Sequence, residues 1–442
     1  MPQKNTIQTI KARYILDSRG NPTVEADVIL NNGTIGRASA PSGASTGDKE
    51  ALELRDKSEH WNGKGVDQAI KNIEKYIKPA LLNQSCLDIS RIDNIMLELD
   101  GTMNKSKLGA NAILAVSLAN VQAAANCQQL PLFEFLRDYL QMQYPDIIKS
   151  DNYIMPMPMM NILNGGSHAD NNVDIQEFMI MPTNFSNYTD ALKAGVEIFH
   201  SLKSILKKHG YNTSIGDEGG FAPMLRSNNE AIELILEAIQ KANYIVGDNI
   251  ELALDVAASE FYNTTKQIYY LESNNSELNT NQLIDYYQSL CSQYPIISIE
   301  DGLDQNDWES WTKLNSLLGQ KTQIVGDDLT VTNTELLKKA IDKKAINAIL
   351  IKLNQIGTFT ETMEAIQLAK NNDLGVIISH RSGETENTFI ADLAVAVEAG
   401  QIKTGSLCRT DRVAKYNQLL RIIDFADNKL QYASKDMMGK MK

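Results

Sequence analysis

A chain of 442 residues is long enough for two or three domains, or for one large barrel with a smaller companion. With 43% hydrophobic and 22% charged residues it has the composition of an ordinary globular protein. Its 55 acidic and 42 basic residues give a formal net charge of −13, which argues against a general binder of nucleic-acid backbones but leaves room for one basic pocket for a small anion.

The opening twenty residues contain no continuous apolar segment, so no secretory leader is expected. "TVEADVIL" alternates polar and apolar side chains and meets the turn "NNG", which predicts a hairpin. Helical spacing follows in "GVDQAIKNIEKYIKPALL" and "GANAILAVSLANVQAAA". Asn111, Ser117, Asn120 and Gln122 interrupt the second, so it predicts a buried Ala-rich helix and not a membrane span. Cys86, Cys127, Cys291 and Cys408 are far apart and form no CxxC pair, which predicts reduced thiols and a cytoplasmic protein. Polar "QMQYPDIIKSDNY" leading into "MPMPMM" marks a boundary near residue 145, between a small N-terminal α+β domain (1–145) and a larger C-terminal domain (146–442).

Beyond that boundary one unit recurs. A short apolar run ends in an ionisable residue, and an amphipathic helix usually follows. "LALD" ends at Asp255, "IISIE" at Glu300, "QIVGD" at Asp327, "AILIK" at Lys352, "VIISH" at His380 and "GQIK" at Lys403. Between them, "NTELLKKAI" predicts a helix capped by Thr334 that buries Leu336, Leu337, Ala340 and Ile341, and "ETMEAIQLAK" shows Met363, Ile366 and Ala369 on one face. The last four markers lie 25, 28 and 23 residues apart by subtraction, about one βα unit each. Repeated βα units imply a parallel sheet, and this many imply a (β/α)8-type barrel.

The carboxyl ends of barrel strands share one rim, and that rim holds the active site. An Asp after a strand ordinarily caps the next helix, and a Lys there ordinarily turns its ammonium to solvent. Six ionisable strand ends in register, two of them lysines and one a histidine, instead predict a shared charged site. In "IQEFMIMP" the polar pair Gln176–Glu177 precedes the apolar run. If Glu177 belongs to the rim, this strand must run antiparallel to the rest and the barrel must begin irregularly.

Asp255, Glu300 and Asp327 form an all-oxygen set suited to Mg²⁺. Lys352, Lys403, Arg381 and His380 supply the opposing charge, and "SHRSGET" sets His380, Arg381 and Ser382 on one loop fit to grasp phosphate or carboxylate. Two ammonium groups about 4 Å apart repel by roughly 4 kcal/mol at an effective dielectric of 20, so Lys403 and a bound cation are expected to lower Lys352 toward the range of a general base, while the carboxylates pull the other way. Loops add Asp217 and Glu218 in "GDEGG", His168 in "NGGSHADNN", and Ser42 and Ser45 in the glycine-bearing "PSGASTGDKE", which is free to move over a ligand.

"DSRGNPTVE", "PSGASTG", "NGGSHA", "QEFMI", "GDEGG", "SIEDGLD", "GDDLTVTN", "LIKLNQIGT", "ISHRSGETE" and "GQIKTG", in this order over roughly residues 7 to 422, together resemble the enolase family, in its bacterial type. The resemblance implies an α/β fold: an N-terminal α+β cap and an irregular (β/α)8 barrel of β2α2(β/α)6 order. It implies reversible dehydration of 2-phospho-D-glycerate to phosphoenolpyruvate with two Mg²⁺ ions per site. By motif, Lys352 would remove the C2 proton, and Glu218, assisted by Glu177, would protonate the departing hydroxide. Asp255, Glu300 and Asp327 would hold one Mg²⁺, and Ser45 would join a second. Gln176, Glu177, Lys352, Arg381, Ser382 and Lys403 would hold the substrate, with His168 and His380 beside the reacting groups.

Gly302 and "ADNNVD" look bacterial, Asn387 stands where an acidic residue is usual, and the tail "QYASKDMMGKMK" lacks the family's usual ending. A racemase or cycloisomerase of the same superfamily would lack "SGAST" and "SHRSGE". The resemblance also implies a homodimer or an assembly of dimers. It raises an alternative class as well: a non-catalytic surface, secreted or scaffold protein that binds plasminogen or joins RNA-decay assemblies. That class would be favoured by loss of a catalytic residue, and none is lost.

Overall fold

Alternation in the first forty residues builds a three-stranded antiparallel sheet. Ile7–Leu16 pairs with Pro22–Leu30, which turns through Asn31–Gly33 and pairs with Ile35–Ser39 in this computed structural model, which describes residues 4–44, 46–426 and 429–439. The Ala-rich segment forms the buried helix Ala110–Gln128 against this sheet. Small residues permit the close approach: a Cβ on Gly36 would lie 2.1 Å from the Ala119 carbonyl.

Eight short strands close into a barrel. Met157–Asn164 and Glu177–Pro182 are antiparallel to each other, and Glu177–Pro182 is also antiparallel to Ile250–Asp255. Ile296–Glu300, Gln323–Gly326, Ala348–Ile351, Gly375–Ser379 and Gly400–Lys403 then follow in parallel, the last closing on Met157–Asn164. Two helices, Tyr188–Lys208 and Asn228–Lys241, sit between the second and third strands, which gives the β2α2(β/α)6 order. The second strand is reversed, as the position of Gln176–Glu177 predicted. Its first residue, Glu177, is in register with Asp255, which is in register with Glu300.

The helix Thr334–Lys343 is capped by Asn333, whose side chain accepts from the Glu335 and Leu336 amides, and not by Thr334. Asn is the stronger cap, and its carboxamide oxygen reaches two free amides at once. Of its apolar face only Leu337 and Ala340 are fully buried, whereas Met363, Ile366 and Ala369 are all buried in Phe359–Asn371. At the opposite end of the barrel from the rim, Gln323 Nε2 donates to Gln401 Oε1 at 2.8 Å and to the carbonyl of buried Met438, so the unusual tail still plugs the barrel floor.

The N-terminal unit rests on the rim. Ser42 and Gly383 exchange two backbone hydrogen bonds of 2.8 Å, and Ser39 Oγ lies 2.7 Å from Thr385 Oγ1. Buried Asp93 caps a barrel helix by accepting from the Thr360 amide at 2.9 Å and its hydroxyl at 2.6 Å. Among the described residues the four cysteines are free thiols, and no helix is long and apolar enough to cross a membrane.

Candidate active site

The strand register delivers the rim residues to one place. Lys403 ends its strand with Nζ 2.7 Å from Asp255 Oδ2, 2.9 Å from Glu300 Oε1 and 3.3 Å from Glu177 Oε1. Burial alone would strip the proton from Lys403, but Asp255, Glu177 and Glu300 hold it charged, well above the usual lysine range. One ammonium does not neutralise three carboxylates. Burial and Asp255 push Glu300 well up, and burial and Glu218 do the same to Glu177.

Lys352 bonds through Nζ to Asp327 Oδ2. Burial is the largest influence and lowers its pKa, but Asp327 and Glu300 pull the other way and it ends raised. Arg381 and Lys403 push Lys352 down, as the sequence reading expects of Lys403, and the Asp327 carboxylate in direct contact pulls the other way. Asp327 itself is fully buried, which would raise it, yet Lys352 brings it below the usual range.

A second group forms around Glu218. The ligand atoms of His168, Glu177 and Glu218 lie within 4.8 Å of one another. His380 Nε2 is 3.3 Å from Glu218 Oε2, His168 Nδ1 is 3.8 Å from it, and Asn161 Nδ2 donates to it at 3.2 Å. Burial would raise Glu218, but His380, His168 and Arg412 bring it well below its usual value. Burial also lowers both imidazoles, His380 to about 4, and Glu218 only partly opposes it. The glycines of "GDEGG" make the turn that presents Glu218. Gly219 has φ +89°, and a Cβ on Gly220 would lie 2.4 Å from Asn164 Oδ1.

One cavity is lined by His168, Gln176, Glu177, Glu218, Asp255 and Asp327 together with Lys352, His380, Arg381, Ser382 and Lys403. Glu300 lies just beneath it, on Lys403. Ser45 lies outside the described residues. Of the three acids expected to share a cation, Asp255 and Glu300 meet on Lys403, whereas Asp327 groups within 4.8 Å with Asp301 and Asp328. Burial and neighbouring carboxylates raise Asp301 well up and Asp328 to about 7. The surplus of carboxylate over ammonium, the all-oxygen donors, and the buried unpartnered Gln176 Oε1 and Glu177 Oε2 fit a hard divalent cation.

Four contributors escaped the sequence reading. Asp301, held at φ +44°, accepts from the Asp327 and Asp328 amides at 3.0 and 2.9 Å and so aims that strand end; its place directly after Glu300 was the available signal. Glu50, from the cap, accepts from Arg381 NH1 and NH2 at 3.0 and 3.1 Å; it lies in the quoted loop "PSGASTGDKE". Asn161 and Arg412 carry no local signal.

A barrel with a reversed second strand, a capping domain, and lysines facing carboxylates across one rim are the architecture that the enolase resemblance implies. Residues 7–136 match the family description "Enolase, N-terminal domain" and residues 152–441 match "Enolase, C-terminal TIM barrel domain". A protein of Legionella pneumophila (strain Lens) named "Enolase" is 57% identical over 435 residues, covering 98% of this chain and 100% of that protein. The chain belongs to the enolase family, and its activity is that of a glycolytic hydro-lyase, phosphopyruvate hydratase.

Proposed function

We propose that the chain catalyses the reversible, Mg²⁺-dependent dehydration of 2-phospho-D-glycerate, with Lys352 as base and Glu218, assisted by Glu177, as acid. The observation that carries this reading is the single cavity lined both by Lys352, Arg381, Ser382 and Lys403 and by Glu177, Glu218, His168 and His380. A proton beside a carboxylate is very weakly acidic, so the anion formed at C2 needs concentrated positive charge. Enolase-superfamily sites are themselves a standard example of a Lys or His base working beside bound Mg²⁺. Asp255, Glu300 and Asp327 would hold one Mg²⁺, and Ser45 would reach a second. When bound, the metal supplies the charge that offsets the buried carboxylates and the substrate anion.

This chain's own groups do the rest. Arg381, Ser382, Gln176 and Lys403 orient the anionic substrate. Lys352, charged while paired with Asp327, must lose that pairing to accept the C2 proton. Burial and Glu218 raise Glu177, so the Glu177–Glu218 pair would carry the proton destined for the departing hydroxide. His168 Nδ1, 3.5 Å from Glu177 Oε1 and 3.8 Å from Glu218 Oε2, lies between them.

The same reading takes residues 1–145 as cap and 146–442 as catalytic domain, in a cytoplasmic homodimer or assembly of dimers. Tyr14, 50% exposed and packed edge-on against Trp61 with ring centres 5.4 Å apart, and Leu16, 58% exposed, support a surface that pairs copies. The test of function is an ultraviolet assay for phosphoenolpyruvate. Absorbance should rise with Mg²⁺ and stop with EDTA; no rise at any Mg²⁺ concentration would overturn the reading.

A further inference from the structure

Arg412 stands behind the cavity lining, in contact with two of its loops. It lies in the first turn of the helix Thr410–Phe425 and is fully buried. Its NH1 meets His380 Nδ1 and the Arg381 carbonyl, and its NH2 donates to the Ser382 carbonyl at 2.6 Å and to the Asp217 carbonyl at 3.4 Å. One guanidinium therefore ties the loop of His380, Arg381 and Ser382 to the loop of Glu218.

A guanidinium has five donors and no acceptor, and it stays charged. Whatever touches it must accept, so His380 Nδ1 carries a lone pair and no proton. A protonated imidazole would set N–H against N–H and cation against cation. The single ring proton is thus on Nε2, which faces Glu218 Oε2 at 3.3 Å. The ring has little freedom to do otherwise: it is 2% exposed, and the His380 amide donates to the Lys403 carbonyl at 2.9 Å. The charged groups that act on it most strongly are Glu218, Arg412 and Glu384.

We propose that Arg412 is a positioning residue that fixes His380 as the neutral Nε2–H tautomer, so that His380 gives Glu218 a permanent hydrogen bond and is not itself a proton donor to the leaving group. The inference rests on the assignment of Glu218 as acid. It assigns the mobile proton to the glutamate pair and gives His380 a fixed orienting role. It also explains why a fully buried arginine, whose Nε pairs with Asp411 Oδ2 at 2.7 Å, spends its two terminal nitrogens on three backbone carbonyls and one ring nitrogen.

The test is nitrogen-15 NMR of the full chain labelled at histidine. The sequence has five histidines, and the signals absent in His380→Asn identify the one in question. We expect pyridine-like Nδ1 and pyrrole-like Nε2 in the unsubstituted protein at neutral pH. A proton on Nδ1, or on both nitrogens, overturns the proposal. In Arg412→Met we expect a mixture of tautomers, with turnover reduced tenfold or more. A folded Arg412→Met whose His380 keeps a pure Nε2–H form would also overturn it, since Arg412 would then not be the cause. Should Arg412→Met not fold, the unsubstituted spectrum decides alone. An absence of phosphoenolpyruvate formation sinks the functional reading and leaves the tautomer result standing, so the two failures are distinct.

Discussion

Lys403 Nζ lies 2.7 Å from Asp255 Oδ2, with both side chains almost wholly shielded from water. The pair is the hub of the site, because the same ammonium also serves Glu300 and Glu177. Removing one member of a buried charge network typically costs about 3–5 kcal/mol, because the other charges are left unpaired. Lys403→Met should therefore lower stability by an amount of that order in EDTA. Mg²⁺ should restore part of the loss, since a cation bound only to the folded state stabilises it. Denaturant titration with and without Mg²⁺ reads both effects, and an unchanged midpoint in EDTA would show that Lys403 is not the hub.

Asp327 holds Lys352 and accepts from Gln355 Nε2 at 2.8 Å. Asp327→Asn keeps the size and removes one charge. Titration calorimetry should show weaker Mg²⁺ binding with the fold preserved. Unchanged affinity would return Asp327 to a structural role.

Glu50 reaches from the cap to both terminal nitrogens of Arg381. Hydrogen bonds to charged groups contribute about 1.5–3 kcal/mol, so Glu50→Gln should raise KM for 2-phosphoglycerate roughly tenfold or more while kcat changes less. Steady-state kinetics at saturating Mg²⁺ provide the check; equal KM values would mean that Arg381 is held adequately by Asn354 and its other partners.

Asp93 supplies a pH test of the joint between cap and barrel. Burial raises its pKa to about 6 against an ordinary 3.8, and the Thr360 and Ser117 hydrogen bonds only partly oppose this. A carboxyl with a raised folded pKa binds its proton more tightly when folded. Its contribution is thus full below about pH 4 and is lost as pH rises through about 6. Relative to Asp93→Asn, the unsubstituted protein should lose up to about 3 kcal/mol of its stability difference between pH 4 and 7. A difference that stays flat over this window would contradict the buried cap.

Much of this was legible in the residues. Six apolar runs ending in Asp255, Glu300, Asp327, Lys352, His380 and Lys403 do end at one rim, because parallel strands of a barrel bring like ends together. The reversal of the second strand could be read because Gln176–Glu177 stand before their apolar run, where a parallel strand would place them at the far end. Which carboxylate pulls on Lys352 could not be read, since strand spacing does not reveal that its Nζ touches Asp327. Arg412, Asn161 and Glu50 were illegible for a related reason. Each acts across more than 30 residues of sequence, through contacts that only the closed fold creates. The cap at Asn333 was missed by one residue, within the usual spread of helix ends.

The central claim, that Lys352 is the base, is tested most directly by solvent exchange at C2 of 2-phosphoglycerate, followed by proton NMR in deuterium oxide with Mg²⁺ present. The unsubstituted protein should exchange the C2 proton. Glu218→Gln should block dehydration yet retain some exchange, because proton removal and hydroxide loss are separate steps. Lys352→Ala should show no exchange while its melting temperature still rises with Mg²⁺. Exchange by Lys352→Ala at the unsubstituted rate would contradict the account.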